Sequence, residues 1–356
     1  MSDRFGSHFT FTSIGGSHDP EMRGIITGLP SGISINKKLI TEDLKKRSPL
    51  GYPGATERIE EDVIKWSKGI ENDSTTGDCI EFTIENKNYH SKDYENLKGV
   101  FRPSHADYSY YKKYGHLDSS GKGRASGRET LLRVVAGSLA KQYLYSKGIN
   151  VLAFVKSIGG IEAHYRIENI NVESLKNSTI NCPDENAETQ ILEKIESAKS
   201  EGDTLGGIIE CIIEGSPAGI GSPIFNKLHA ELAQAIMSIP SVKGFELGKG
   251  FEASKMKGSE YNDEFILDEN SELTTRTNHD GGIQGGISNG NNIIFRAAFK
   301  PIPSIKKKQW TIDASGKERL IEIRGRHDVC IVPRACVIVE SMAAMVMADQ
   351  IIGNEL

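Results

Sequence analysis

The order of strand and helix patterns is the feature that most constrains the fold of this chain, because the two mix without a regular repeat. Short runs rich in β-branched and aromatic residues predict strands at 8–14, 24–29, 79–85, 151–155, 205–214 and 293–299. Apolar residues at helical spacing predict helices at 129–147, 184–200, 224–238 and 334–352. A further helix is predicted to begin with Thr41 as its N-cap and to end near Pro49. Because a doubly wound sheet requires a regular βα repeat, this order favours an α+β fold with layered sandwich packing in one domain.

Charge and cysteine content exclude several classes of protein. The formal net charge of −5 argues against a nucleic-acid-binding protein, and the one dense basic run, 306–308, is interpreted as a solvated turn. No apolar run reaches the ~18 residues of a membrane span, and the N-terminus lacks the pattern of a signal peptide. Five scattered cysteines without a Cys-x-x-Cys pair argue against disulfides and structural zinc, so we expect no metal site and a cytoplasmic setting.

Three short, glycine-punctuated segments carry candidate acid–base groups. His18 ends the segment 15–18 after a predicted strand, where backbone N–H groups lie open to an anion. His105 stands between Arg102 and Asp107, and Asp328 follows two arginines and a histidine. Each segment also has a structural reading, namely a turn histidine, a polar loop held by its own hydrogen bonds, and a structural ion pair.

Three other segments have the composition of anion-binding sites. Residues 124–130 open the helix at 129–147 with two arginines and a serine, which suit a phosphate or a carboxylate. The segment 278–288 is dense in glycine, which allows the backbone to approach a flat or phosphorylated ligand or indicates a flexible loop. Residues 300–304 place a lysine and a serine after a strand. The flanking signals of Rossmann and Walker A loops are missing, so neither is predicted.

These segments, in this order, resemble the chorismate synthase family along nearly the whole chain. A single short motif would be unspecific, but so many ordered matches make the resemblance specific. The matching segments are 15–18, 75–77, 101–110, 123–140, 201–203, 217–221, 242–246, 278–288, 300–328 and 333–335.

The resemblance implies a β-α-β sandwich, a homotetramer and FMN bound in its reduced form, FMNH2. The implied reaction is the anti-1,4-elimination of phosphate from 5-enolpyruvylshikimate 3-phosphate. The product is chorismate, and the reaction is the last common step of aromatic amino-acid biosynthesis in the shikimate pathway. It has no net redox change, yet the reduced flavin is needed because it lends electron density transiently as phosphate leaves.

The family motifs also imply roles for individual residues. By position, His18 would protonate the departing phosphate, His105 would protonate the reduced flavin, and Asp328 would assist the flavin N5 in removing the C6 proton. The residues implied for FMN are Arg124, Ala125, Ser126, Ser241, Gly285, Lys300, Pro301, Ile302, Pro303, Ser304 and Arg326. Those implied for the anionic groups of the substrate are Ser17, Arg47, Arg128 and Arg326.

The chain departs from the family motifs at several positions. Asp19 stands where the family has glycine, Pro53 where it has an arginine, and Val329 where it has a proline. The family's arginines after Arg47 hold substrate phosphate or a nicotinamide cofactor, NADP, and each lost charged contact costs ~1.5–3 kcal/mol. Their loss weakens the case for tight substrate binding, and that for NADPH-dependent flavin reduction still more.

Three functions stay open at this point. They are an authentic chorismate synthase, a paralogous FMN-dependent lyase acting on a related phosphate ester, and a flavin-binding protein that has lost catalysis. A length of 356 residues leaves no room for an added reductase domain. We therefore expect a monofunctional enzyme that takes FMNH2 from an external flavin reductase, with no membrane partner.

Overall fold

Two antiparallel five-stranded sheets form the outer layers of the fold in the computed structural model, which describes residues 3–16, 19–55, 62–86, 99–115, 126–323 and 327–355. The first sheet has the strand order β1-β2-β3-β7-β4. Its chain segment also contains the short hairpin β5–β6. The strands are β1 (Arg4–Phe5), β2 (Thr10–Ile14), β3 (Glu21–Thr27), β4 (Ile64–Lys68), β5 (Ile70–Glu71), β6 (Ser74–Thr75) and β7 (Ile80–Glu85).

The second sheet has the strand order β11-β16-β10-β8-β9. Three short hairpins, β12–β13, β14–β15 and β17–β18, form separate two-stranded sheets. Strand β16 alternates buried and half-buried side chains, as its apolar sequence predicts for a strand with one face on the core. The strands are β8 (Asn150–Ile158), β9 (Ile161–Glu162), β10 (Gly207–Glu214), β11 (Val242–Leu247), β12 (Phe265–Leu267), β13 (Leu273–Thr275), β14 (Ile283–Gln284), β15 (Ile287–Ser288), β16 (Ile293–Phe299), β17 (Gln309–Ile312) and β18 (Glu318–Ile321).

Two long helices, α3 and α8, lie between the sheets. Helix α3 packs against β2 and β3 of the first sheet, and α8 packs against β8 and β10 of the second, so the layers run β-α-β as expected. Short 3₁₀ turns cover Gly127–Glu129, Ile167–Asn169 and Gly250–Lys255. The α-helices are α1 (Lys37–Arg47), α2 (Asp107–Tyr114), α3 (Thr130–Ser146), α4 (Val172–Leu175), α5 (Glu185–Ser200), α6 (Leu228–Met237), α7 (Gly258–Tyr261) and α8 (Val332–Glu355).

The two central helices approach closely because Gly137 of α3 faces Ser341 of α8. A β-carbon built at position 137 would lie 2.2 Å from Ser341 Cβ and 2.4 Å from Ser341 Cα. Glycine costs a helix interior about 1 kcal/mol relative to alanine, so its presence here reflects the close contact between the backbones. This contact brings the two sheets together around the main hydrophobic core, which contains residues of both helices and both sheets.

Helix α8 is long and apolar enough, by length and composition, to cross a membrane, although no such segment was predicted. Of that apolar window, 94% is buried inside the protein, which is typical of a core helix. Its buried charges also have partners within the fold. Glu340 accepts a hydrogen bond from Lys141 Nζ at 3.1 Å, and Asp349 accepts one from the backbone N–H of Phe9 at 2.8 Å.

Most of the predicted elements are confirmed, with shifted ends. Strand β16 matches the prediction, and Asp184 caps α5 by accepting hydrogen bonds from the backbone N–H groups of residues 186 and 187. The predicted N-cap Thr41 is wrong. Helix α1 begins at Lys37 and is capped by Asn36, whereas the Thr41 hydroxyl donates to the Lys37 carbonyl inside the helix.

Several elements were not predicted. Helix α2 was read as a polar loop because it buries no side chain completely and so lacks an apolar stripe. Strand β4 has half-buried and exposed side chains only, and most residues of β11 are half-buried, so their patterns are too weak to stand out. The glycine-dense segment 278–288 contains the short hairpin β14–β15.

We expect Gly137→Ala to destabilise the protein. The added methyl group overlaps the Ser341 backbone, so the free energy of unfolding should fall by about 1–3 kcal/mol despite the better helix propensity of alanine. Thermal denaturation followed by circular dichroism measures the change. Gly258→Ala is the control, since a β-carbon there meets no atom within 4 Å. An unchanged or higher Tm for Gly137→Ala would contradict the packing described here.

Candidate active site

A cavity of about 720 Å³ opens where the N-terminal turns of α3 and α8 meet. This volume suits a cofactor together with a small substrate. Its wall combines segments that are far apart in the sequence, and the predicted site residues on it are Arg47, His105, Ser126, Ser241, Lys300, Ile302, Pro303, Ser304 and Asp328.

His105 belongs to a hydrogen-bonded group with Arg102 and Asp107 at the start of α2. The His105 Nδ1 atom lies 2.7 Å from Asp107 Oδ1. Arg102 donates to both carboxylate oxygens, from Nη2 to Oδ1 and from Nε to Oδ2, each at 2.8 Å. Burial raises the pKa of Asp107, but the hydrogen bonds from Arg102 and His105 outweigh it and leave the pKa well below its usual range.

Lys300 projects from the end of β16 beside a second cation, Lys243. Its Nζ donates to the Ser104 carbonyl at 2.5 Å, and its backbone N–H donates to the Ser241 carbonyl at 3.0 Å. Burial, and then repulsion from Lys243, lower the pKa of Lys300. Two ammonium groups that repel each other on the wall of the cavity favour an anion, because an anion between them would relieve the repulsion.

Three arginines and two carboxylates form a cluster beside the cavity, whose wall includes Arg47, Asp328 and Arg334. Asp62 lies 3.1 Å from Arg128 Nη2 and 3.9 Å from Arg47 Nη1, and Arg334 Nη2 donates to Asp328 at 2.5 Å. Arg47 is additionally held in the structure by donating to Thr130 Oγ1 at 3.2 Å and to the Gly127 carbonyl at 3.0 Å.

Among the residues that the structure describes, this buried cluster has three guanidinium groups and two carboxylates. Burial and repulsion from Arg334 lower the pKa of Arg47 to about 10, while Asp62 opposes them, Arg128 adds to them and Asp328 opposes them. Such a group of guanidinium donors can bind phosphate or carboxylate through charge-assisted, bidentate hydrogen bonds. The arrangement therefore suits a ligand with several negative charges.

Other predicted site residues lie elsewhere or outside the described part of the chain. Arg128 does not line the cavity, and its side chain donates to Asp62 and Asn86. Pro301 lies in the chain between the wall residues Lys300 and Ile302. Gly285 lies in the β14–β15 hairpin and does not line the cavity. The hairpin contacts the start of α6, where the Gly286 carbonyl accepts a hydrogen bond from the backbone N–H of Leu228. The cavity wall instead includes residues 238–241, which follow the end of α6. The assignment of Gly285 stays a prediction. The residues outside the described ranges are Ser17, His18, Arg124, Ala125 and Arg326.

Two departures from the family motifs prove to be neighbours. The backbone N–H of Val329 donates to the carbonyl of Gly54, the residue after Pro53, at 2.7 Å. The Val329 carbonyl accepts from the Leu205 N–H at 2.8 Å. A proline at position 329 has no N–H group, so valine allows the loop at 51–55 to be fastened next to Asp328 by a bond that the family residue cannot make.

Sequence reasoning missed several residues that complete the site. Asp62 follows a polar stretch with no motif, and Lys243 precedes a glycine in β11. Arg133 is one of two charged residues in the mostly apolar helix α3, where it pairs with Glu129 at 2.8 Å and donates to Ser238 Oγ at 2.7 Å. A cation in a buried helix is a signal that could have identified Arg133.

Comparisons with known proteins agree with the resemblance seen in the sequence. A family model described as chorismate synthase matches residues 9–352. A chorismate synthase of Christiangramia forsetii is 46% identical over 351 residues, covering 99% of this chain and 98% of that protein. One of Phocaeicola vulgatus is 45% identical over 349 residues, covering 98% and 97%. A crystal structure of a chorismate synthase superposes with a TM-score of 0.78 at 28% identity, covering 98% of this chain and 93% of the other.

We expect Asp62→Asn to destabilise the protein and to strengthen its response to anions. Without the carboxylate, the buried charges of Arg47 and Arg128 are less compensated, so the free energy of unfolding should fall by about 1–3 kcal/mol. Inorganic phosphate should then raise the Tm of the variant more than that of the parent. Asp73→Asn is the control, since Asp73 pairs with Lys37 in solvent. Equal phosphate shifts in the parent and Asp62→Asn would show that Asp62 does not balance this cluster.

Proposed function

Because the chain belongs to the chorismate synthase family, we propose that the cavity between the first turns of α3 and α8 is its active site. The chain is a carbon–oxygen lyase of that family, which eliminates phosphate from 5-enolpyruvylshikimate 3-phosphate to form chorismate. One observation carries the placement of the site: Arg47, His105, Lys300 and Asp328 come from distant segments yet share the wall of one cavity. The comparisons support this reading over a paralogous lyase and over a flavin-binding protein without catalysis.

Reduced FMN is the cofactor that we propose for this cavity. The volume of about 720 Å³ leaves room for a flavin, and the repelling pair of Lys300 and Lys243 fits the charge of its phosphate. When bound, the reduced flavin supplies electron density to the substrate as phosphate departs. The residues that would hold it are Ser126, Ser241, Lys300, Pro301, Ile302, Pro303 and Ser304, together with Arg124, Ala125, Gly285 and Arg326.

The arginine cluster is the proposed binding site for the negative groups of the substrate. Arg47 and Arg128, with Arg326 and Ser17, would hold the carboxylates and the phosphate. Asp62 pairs with the guanidinium groups of both Arg47 and Arg128 and so keeps them close together. The excess positive charge among the described residues of the cluster supports this role, because burial and then repulsion from Arg334 lower the pKa of Arg47, and a bound anion would offset the repulsion.

Three groups are proposed to move protons. His18 would donate a proton to the departing phosphate, and His105 would donate one to the reduced cofactor. Asp328 would take part in removing the C6 proton of the substrate. The support for Asp328 is its position on the cavity wall next to the arginine cluster, where Arg334 orients its carboxyl group.

A homotetramer is the proposed assembly, and a single domain the proposed organisation of the chain. Several large apolar side chains on the β12–β13 and β17–β18 hairpins are exposed, as at surfaces that pair with another subunit. The continuous hydrophobic core supports the single domain. The exposed apolar residues are Phe265, Leu267, Leu273, Trp310, Ile312 and Leu320.

The supply of reduced flavin and the location in the cell are proposed from the sequence and its cysteines. We propose that an external flavin reductase provides FMNH2 and that NADPH is not the direct reductant, since Pro53 replaces an arginine of the family. A cytoplasmic location is supported by five free cysteines, four of them buried. Burial raises the pKa of the Cys330 thiol to about 12, so it stays protonated and unreactive.

Chorismate formation under anaerobic conditions with chemically reduced FMN tests the proposed function. The protein should turn over 5-enolpyruvylshikimate 3-phosphate with FMNH2 and without NADPH. His18→Ala and Asp328→Ala should each abolish turnover while FMN binding stays nearly intact. Bound FMN without any chorismate would exclude the proposed reaction, and unchanged rates in the two variants would remove their assigned roles.

We expect Lys300→Met to weaken FMN binding by roughly 10- to 100-fold, because a charge-assisted hydrogen bond to an anion contributes about 1.5–3 kcal/mol. Titration of flavin fluorescence measures the Kd. Lys306→Met is the matched control, an exposed lysine on the same segment that does not line the cavity. If both variants bind FMN as tightly as the parent, Lys300 does not contact its phosphate.

A further inference from the structure

We propose that Asp107 is a positioning residue that fixes the tautomer and the orientation of the His105 ring in the active-site cavity. The inference deepens the proposed function, because it concerns how the proposed proton donor His105 is prepared for its role. It rests on the hydrogen-bonded group of Arg102, His105 and Asp107, which lie within six consecutive residues at and before the start of α2.

Asp107 uses both carboxylate oxygens, and each accepts two hydrogen bonds. Oδ2 accepts from the backbone N–H of Arg102 at 3.0 Å and from its Nε at 2.8 Å. Oδ1 accepts from Arg102 Nη2 at 2.8 Å and lies 2.7 Å from His105 Nδ1. The carboxylate is therefore oriented by three donors of one arginine before it meets the histidine.

The short distance between Nδ1 and Oδ1 identifies the protonated nitrogen of His105. An unprotonated Nδ1 would place its lone pair against a carboxylate oxygen at 2.7 Å, which is repulsive. A protonated Nδ1 donates to that oxygen instead. Nδ1 also lies 3.0 Å from Arg102 Nη2. The two nitrogens are close because both donate to Asp107 Oδ1.

With Nδ1–H directed to Asp107, the other ring nitrogen is the one that can exchange protons with a ligand. Nε2 has no hydrogen-bond partner among the described residues, and His105 lies on the wall of the cavity. When His105 gives up a proton, the proton leaves from Nε2 while Nδ1–H stays with Asp107. Carboxylates that orient a histidine through its second nitrogen act in the same way in other active sites.

Asp107 is shielded from water, so its hydrogen bond to His105 does not have to compete with solvent. It is the first residue of α2, and its side chain is 9% exposed, as is expected of a group shielded from water. The salt bridge with Arg102 is similarly shielded, with 11% of the arginine side chain exposed. A structural ion pair alone would not require the histidine, so the two readings differ in what happens to His105 when Asp107 is changed.

Asp107→Asn separates the two readings through hydrogen-bond chemistry. Oδ2 accepts from two Arg102 donors and Oδ1 from only one, so the amide NH2 of asparagine displaces fewer hydrogen bonds on the Oδ1 side, where it faces His105 Nδ1. That nitrogen would then have to accept a hydrogen bond, and its proton would move to Nε2. The variant should therefore invert the tautomer of His105 while most contacts of the loop remain.

Nuclear magnetic resonance of protein labelled with 15N-histidine observes the tautomer directly, without FMN or substrate. The His105 signals are assigned by their absence in His105→Ala. We expect the Nδ1–H tautomer in the parent and the Nε2–H tautomer in Asp107→Asn. The same tautomer in both proteins would overturn the proposal, and this result does not depend on whether the proposed reaction is correct.

Kinetics test whether the orientation matters for turnover. Asp107→Asn should lower kcat by roughly 10- to 100-fold with little change in KM. In the His105→Ala background the same substitution should cause no further loss, because its effect is transmitted through the histidine. Asp184→Asn is the matched control, since Asp184 also accepts several hydrogen bonds but lies at the N-terminus of α5.

The possible failures are distinguishable. If the parent forms no chorismate, the proposed function fails, whereas the tautomer measurement still decides the role of Asp107. If the parent is active and Asp107→Asn is equally active, the proposal on Asp107 is wrong. Additive losses in the double variant, with an unchanged tautomer in Asp107→Asn, would show that Asp107 is only a structural ion-pair partner.

Discussion

The close contact between α3 and α8 is the constraint on which the rest of the structure depends. Gly137 allows the backbones of the two helices to approach, and each helix then covers the inner face of a different sheet. Because both helices begin at the same end of the sandwich, their first turns form the walls of one cavity. The geometry of the site is thus a consequence of how the core packs, and a change deep in the helix pair would be felt at the site.

Charge balance is the second constraint at the cavity. Arg47, Arg128 and Arg334 would repel one another if Asp62 and Asp328 did not lie between them. The remaining positive charge is what a ligand with phosphate and carboxylate groups neutralises. The departures from the family motifs lie at the edge of this cluster, where Val329 and the carbonyl of Gly54 share a hydrogen bond. The loop that lost arginines is therefore held beside the site through its backbone.

Periodicity predicted the elements that bury a continuous apolar face. Helix α3, helix α5 and strand β16 were identified because their apolar residues recur at the period of a helix or a strand. Helix α2 was not predicted, since it has no fully buried residue and so shows no apolar stripe. The position of a cap was also misjudged, because Asn36 and Thr41 are both good capping residues and only the fold selects between them.

Local sequence was sufficient to identify the family and the order of the main elements, and it supplied the candidate acid–base groups, because short-range spacing and residue type encode these properties. The partners of those groups depended on the tertiary structure. Asp62 lies between two arginines, and Lys300 reaches the carbonyl of Ser104, which is 196 positions away in the chain. Such contacts arise only when helices and sheets pack, since spacing along the chain carries no information on which distant side chains will meet. Even Asp107, two residues from His105, needed the three-dimensional arrangement to reveal that its carboxylate selects one nitrogen of the ring.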